Sequence, residues 1–215
     1  MNIINTRHYN EFKSIISRKN TRLSTKLAKI LSYIINDLGI DNEKYFVTGS
    51  YALKDYYYYR DIDNLNINMA PREFNKLGIF ELGQYYNDKN VQKWILDLKE
   101  FYEEINNENI NNFYIEIIEI PVNKGYPNNK FSLQSLKNCN LLVDKYNNYF
   151  LTIPAFYEWR KIINKKKDNE DIKFIEDNNL LKKEKVQCGG SNPIYLKYLK
   201  YKNKYIRLKK QSKYY

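Results

Sequence analysis

The sequence predicts an α+β domain, a mixed β-sheet with flanking helices, followed by a basic C-terminal helix. Three observations carry that expectation. Helix-type and strand-type apolar patterns alternate along residues 1–181 and then stop. The 215 residues are 43% hydrophobic and 16% aromatic, enough to bury a core and too much for a wholly disordered chain. The net charge of +11 is unevenly placed: residues 182–215 hold 11 Lys and Arg against the single acid Glu184, which leaves residues 1–181 at about +1.

Composition also excludes. No run of about 18 apolar residues exists, so no membrane span is expected. The start, MNIINTRHYNEFK, has no apolar signal core, so secretion is not expected either. Cys139 and Cys188 lie too far apart for a disulfide framework or a zinc spacing and read as inert free thiols. His8 is the only histidine; its polar surroundings predict a surface position, and any metal would need oxygen ligands. A soluble protein of a reducing compartment is the expectation. The chain carries 30 Asn, 29 Lys and 22 Tyr, all with AT-rich codons, so runs such as Asn106–Asn112 or Tyr56–Tyr59 are weak signals.

Each element has its own warrant. N-terminal helices occupy residues 1–39 and the core residues 40–181. Within 24–38, Leu27, Ile30, Leu31, Ile34, Ile35 and Leu38 form a wide apolar face, with Ser24 as N-cap and Gly39 as stop. Tyr45–Thr48 reads as a short strand ending at Gly49-Ser50, followed by a short helix over 51–57. From Asp61 to Met69 the pattern alternates, placing Asp61, Asp63, Leu65, Ile67 and Met69 on one face of a strand. Pro71 opens a helix to about Leu77. Residues 91–105 read as the clearest helix, with Val91, Trp94, Ile95, Leu98, Phe101, Tyr102 and Ile105 on one face. Phe113–Ile120, Leu141–Val143 and Tyr149–Thr152 read as strands, and Pro154 opens a last body helix that carries a core Trp159. There is no internal repeat.

The chemistry concentrates in FVTGSYALKDYYYYRDID. A glycine after a strand lets backbone approach a phosphate, and Ser50 adds a hydroxyl and amide donors. Asp61 and Asp63, at i and i+2 of a strand, would face the same way and could share a divalent metal. Phosphoryl transfer uses such parts, and a two-metal site wants a third carboxylate from another strand. Glu116 and Glu119 are the candidates; three apart, they face opposite sides, and Glu116, nearer the strand's start, is favoured over Glu119.

The same residues carry a resemblance. GSYALKDYYYYRDID resembles the GSx10DxD signature of minimal nucleotidyltransferases of the DNA polymerase β-like superfamily. LTIPAFYEWRKIINKKKDNEDIKFIE is similar to the helical region of small proteins of that fold, with Arg160, Lys167, Asp168, Asp171 and Ile172 at the matching places. The likeness covers roughly residues 40–177. It implies a nucleotidyltransferase-like mixed sheet, Mg²⁺ or Mn²⁺, and transfer of a nucleoside monophosphate from a nucleoside triphosphate, ATP foremost, to a hydroxyl of a protein, RNA or small molecule. By motif position Gly49 and Ser50 would hold the phosphates, Asp61, Asp63 and Glu116 the metal, and Arg160 or Lys167 the triphosphate. The chain departs from the family in carrying Asn64, Asn66 and Asn68 on one face of the strand after Asp-x-Asp. A fold retained without transfer, as a binding module of a viral protein or nucleic-acid assembly, is the alternative reading.

Residues 182–193 read as a flexible linker through Cys188-Gly189-Gly190-Ser191-Asn192-Pro193. Beyond it, Ile194, Tyr198, Tyr201, Tyr205 and Leu208 make an apolar-aromatic stripe on a basic helix over 194–215. Docking on a protein, binding of a nucleic-acid backbone and a disordered solubilising tail all remain open for it. Tyr198–Tyr205 resembles a tail that recurs on unrelated proteins of giant DNA viruses of amoebae, which implies a host cytoplasm, virus factory or virion as its location.

Overall fold

The computed structural model describes residue 3 and residues 6–56, 61–88, 91–120, 141–163 and 168–183. The linker from residue 184 onward, the tail helix, Lys167, Cys139 and Cys188 lie outside the described residues.

The described chain is α+β. Helices α1 (Tyr9–Ile16) and α2 (Leu23–Asp37) lead into strand β1 (Tyr45–Thr48) and a 3₁₀ turn over Gly49–Leu53. Strand β2 (Asn64–Met69) follows, then the short helix α3 (Pro71–Phe74) and a second 3₁₀ turn, Asn75–Ile79. Next come β3 (Gln84–Asp88), β4 (Val91–Asp97), helix α4 (Lys99–Asn106) and β5 (Tyr114–Glu119). After β6 (Leu141–Val143) and β7 (Tyr149–Leu151), helices α5 (Ile153–Ile163), α6 (Asp168–Asp177) and α7 (Leu180–Lys183) close the described chain.

The seven strands form one mixed sheet in the order β3-β4-β5-β2-β1-β7-β6. β2 runs antiparallel to β1 and parallel to β5, and β1 runs parallel to β7. Strand alternation sends Tyr45, Val47, Leu65, Ile67, Met69, Trp94, Leu96, Ile115 and Ile117 into one core with α1 and α2. Phe46 and Leu151 go to the other face, where α5 and α6 add Phe156, Trp159 and Ile175. That second layer covers the β1–β7 half of its face.

Several expectations are corrected. Residues 91–105 are β4 followed by α4, not one helix, and the β3 hairpin partner Gln84–Asp88 was not anticipated. Trp94, Leu96 and Leu98 are fully buried at a period of two, whereas Val91, Trp94, Ile95 and Leu98, spaced 3, 1 and 3, mimic the i, i+3, i+4, i+7 face of a helix. Gly83 matches this packing, since a Cβ there would overlap the Trp94 indole. His8 is wholly buried rather than at the surface: its ring stacks on Phe80 with centroids 4.3 Å apart, and Nδ1 meets the Tyr33 hydroxyl at 2.9 Å. Burial holds its pKa below the usual imidazole value. β2 begins at Asn64, so Asp61 and Asp63 precede the strand. Ser24 is not the N-cap of α2; Arg22 occupies that position without a side-chain cap.

Candidate functional site

β1 delivers the chain to Gly49, whose φ of +69° is the left-handed conformation that favours glycine. A Cβ there would also lie 2.9 Å from Asn66 Nδ2, so close approach to β2 requires glycine a second time. The next residue is anchored from behind. Ser50 Oγ donates to Asp171 Oδ2 (3.2 Å) and accepts from Arg160 Nη2 (3.4 Å). Arg160 and Asp171 form an ion pair of 2.7 Å, with side chains only 10% and 4% exposed. The Arg160 guanidinium also lies 4.8 Å from the Phe156 ring centroid. Arg160, anticipated as a triphosphate contact, therefore braces the turn from α5 with its charge balanced by α6.

Asp61 turns toward α2. Its Oδ2 accepts the Leu23 amide at 2.5 Å, and its Oδ1 accepts the Ile62 amide at 2.8 Å and the Ser24 amide at 3.4 Å. These two α2 amides belong to the helix's first turn, which has no intrahelical acceptor. Asp63 instead accepts from Asn112 Nδ2 at 3.2 Å, and its carbonyl accepts the Tyr114 amide at 3.3 Å.

The register then assembles a polar row on the sheet face left open by α5–α7. Thr48, Asn66, Glu116, Ile95 and Gln84 are successive cross-strand partners and share that face. Glu116 Oε1 lies 3.4 Å from Lys93 Nζ. The neighbouring row joins Asn64, Tyr114 and Asp97, with Asn64 Nδ2 donating to the Tyr114 hydroxyl at 2.9 Å. Burial raises the Tyr114 pKa, and Glu116, Asp63 and Asp97 add to the rise. A cleft of about 500 Å³ opens here, bounded by Tyr86, Asp97, Phe101, Asn112, Tyr114 and Glu116. Glu119 pairs with Met69 at the far end of β2. Of the two candidate glutamates, Glu116 is the one beside Asn66 and hence near Gly49.

Gly49-Ser50, Asp63 and Glu116 thus come to one end of the sheet. The oxygen donors are of the type that hard divalent cations take. In the described structure Asp61 is engaged by backbone amides and Glu116 by Lys93. Among the described residues no three His, Cys, Asp or Glu side chains are grouped to hold a metal. Asp97, Asn112 and Tyr114 had no distinguishing sequence signal: strand register brings Asp97 and Tyr114 beside Glu116, and Asn112, just before β5, reaches Asp63. No helix among the described residues is long and apolar enough to cross a membrane. Comparison with protein-family models, curated proteins and solved structures gives no match.

Proposed function

We propose that this chain is a nucleotidyltransferase-type protein that takes a nucleoside triphosphate, ATP foremost, at the sheet end carrying Gly49, Ser50, Asp63 and Glu116. The supporting observation is topological. A strand ending in Gly-Ser runs antiparallel to the strand that follows Asp-x-Asp, and a third, parallel strand sets Glu116 beside Asn66. Gly49 lets a phosphate approach backbone, Ser50 holds the turn against Arg160 and Asp171, and the 500 Å³ cleft gives an acceptor room next to Glu116. In the reaction this reading expects, an acceptor hydroxyl oxygen bonds to the α-phosphorus, pyrophosphate leaves, and the hydroxyl proton passes to a nearby base. Mg²⁺ or Mn²⁺ would supply charge stabilisation to such a transfer, but Asp61 would first have to leave the Leu23 and Ser24 amides.

That engagement of Asp61 and the Glu116–Lys93 pair favour a second reading, a module that binds nucleotide without transferring it. The resemblance of Tyr198–Tyr205 to giant-virus tails supports a viral protein in either case, with the tail as a contact for protein or nucleic acid. The test is transfer of label from each α-³²P-nucleoside triphosphate with Mg²⁺ or Mn²⁺ and host-cell extract, for wild type beside Asp61→Asn/Asp63→Asn. Label on protein or RNA with wild type alone supports transfer. Triphosphate binding without label supports the module, and neither binding nor label refutes both.

A further inference from the structure

A second cleft, of about 290 Å³, lies where the start of α2, the end of the Gly49–Leu53 turn and the β6–β7 hairpin meet. Its charged lining is Arg22, Lys54 and Lys145 against Asp55 and Asp144. The two acids count for less than their number. Asp144 Oδ1 accepts the amides of Tyr146 (2.7 Å) and Asn148 (3.0 Å), and its Oδ2 accepts the Tyr51 hydroxyl (2.7 Å) and Asn148 Nδ2 (3.1 Å). Four hydrogen bonds disperse that charge into the hairpin. Asp55, with a side chain 77% exposed, pairs at 3.3 Å with Lys54, whose side chain is 16% exposed and whose Nζ lies 3.5 Å from the Phe150 ring centroid.

A further cation, Lys29, stands beside the lining residue Tyr146. Lys29 of α2 and Lys145 of the hairpin approach the Tyr146 ring centroid at 5.7 and 5.2 Å. Lys29 is held below the usual lysine pKa by burial and then by the neighbouring cations Arg18 and Lys145. The α2 amides are already engaged, Leu23 and Ser24 by Asp61, Thr25 and Lys26 by the Arg22 carbonyl. Recognition therefore belongs to the side chains. The volume suits a phosphate with its adjoining sugar, and the lysines already beside the Tyr146 ring disfavour stacking of a base on it.

We propose that this cleft is a phosphate-binding site, in which Arg22, Lys29, Lys54 and Lys145 take the phosphate groups of a polynucleotide backbone or of a free polyphosphate. An anion there relieves the mutual repulsion of Arg18, Lys29 and Lys145 and releases counterions on binding. None of Gly49, Ser50, Asp61, Asp63 or Glu116 is used, so the site stands or falls apart from the nucleotide site.

The test follows backbone amide shifts of the full chain titrated with inorganic tripolyphosphate and, separately, with octauridylate at two salt concentrations. The proteins are wild type, Lys29→Ala/Lys145→Ala and the control Lys99→Ala/Lys173→Ala. Saturating shifts at Lys29, Lys145 and Tyr146 are expected, with affinity at least about tenfold weaker in the first variant and unchanged in the control. For octauridylate the logarithmic salt slope should fall by about 1.4 when two cations are lost. Tighter binding of octauridylate identifies the polynucleotide as the source, and tighter binding of tripolyphosphate the free polyphosphate. Absence of saturating shifts at these residues with both probes, or affinity indifferent to the Lys29/Lys145 change, overturns the proposal. Lys29→Gln/Lys145→Gln, which keeps most of the aliphatic stem and a polar end without the charge, replaces the alanine pair if that variant does not fold.

Discussion

Asp61 Oδ2 accepts the backbone amide of Leu23 at 2.5 Å, tying the segment that leads into β2 to the first turn of α2 across 38 positions of sequence. α2 has no side-chain cap of its own, so a distant carboxylate does the work of an N-cap and meets the positive end of the helix. Asp61→Ala should lower stability by about 1–2 kcal/mol. Asp63→Ala, which loses one exposed bond from Asn112, should stay within about 0.5 kcal/mol. Urea unfolding of both variants checks the contrast. Equal losses would show that Asp61 does not cap α2.

Gly49 is held by two independent constraints. Its φ of +69° costs a residue with Cβ about 1–2 kcal/mol, and the Cβ would also press on Asn66 Nδ2. Gly49→Ala should therefore destabilise by about 1–3 kcal/mol, and shortening the neighbour in Gly49→Ala/Asn66→Ser should recover only the contact part. Gly39, with φ +59° and no heavy atom within 4 Å of a Cβ, is the comparison: Gly39→Ala should carry the conformational cost alone. Denaturant midpoints of the three variants separate the two contributions.

The buried pair of Arg160 and Asp171 should respond asymmetrically to mutation. Asp171→Leu leaves a guanidinium buried without its carboxylate and should cost about 3–5 kcal/mol. Arg160→Met/Asp171→Leu should regain most of that loss, because two apolar side chains replace both charges. A double-mutant cycle by chemical unfolding measures the coupling. In the same variants the amide signal of Ser50 should move, since its hydroxyl bonds to both partners.

His8 makes stability depend on pH. Burial lowers its pKa in the folded state, Arg7 lowers it further, and Asp37 and Glu81 oppose the shift. The unfolded chain therefore binds the proton first as pH falls. The contribution is fully present above about pH 6.5, declines as pH drops through the unfolded pKa, and levels off below the folded one. His8→Phe keeps a ring against Phe80 and should flatten the stability profile between pH 6.5 and 5, with little change at pH 8. Thermal unfolding across that range checks the sign; an unchanged slope would remove His8 as its cause.

Much of the sheet was legible because strand alternation is local. Leu65, Ile67 and Met69 against Asn64, Asn66 and Asn68 identify β2 and its two faces without any partner in view. Residues 91–98 were not legible in the same way. Their apolar positions satisfy both periods, and only pairing with β3 and β5 makes Trp94 and Leu96 inward strand residues. His8 and Lys26 went unseen for a different reason. Each is polar by sequence, and each is buried by distant partners: Phe80 and Tyr33 for His8, the Ile16 carbonyl and the Tyr102 ring for Lys26. At the candidate site, Gly49 and Glu116 were visible as residue types at suitable spacing. The engagement of Asp61 by α2 was not, because a carboxylate two residues before another reads alike whether it holds a metal or a helix end.

The most direct test of the proposed nucleotide site is an ATP titration of the full chain followed by backbone amide shifts, with and without Mg²⁺. Saturating shifts are expected at Gly49, Ser50, Asp63 and Glu116, weakened at least about tenfold by Gly49→Ala in a protein that remains folded. Saturating shifts confined to other residues, or none at millimolar ATP, would contradict it.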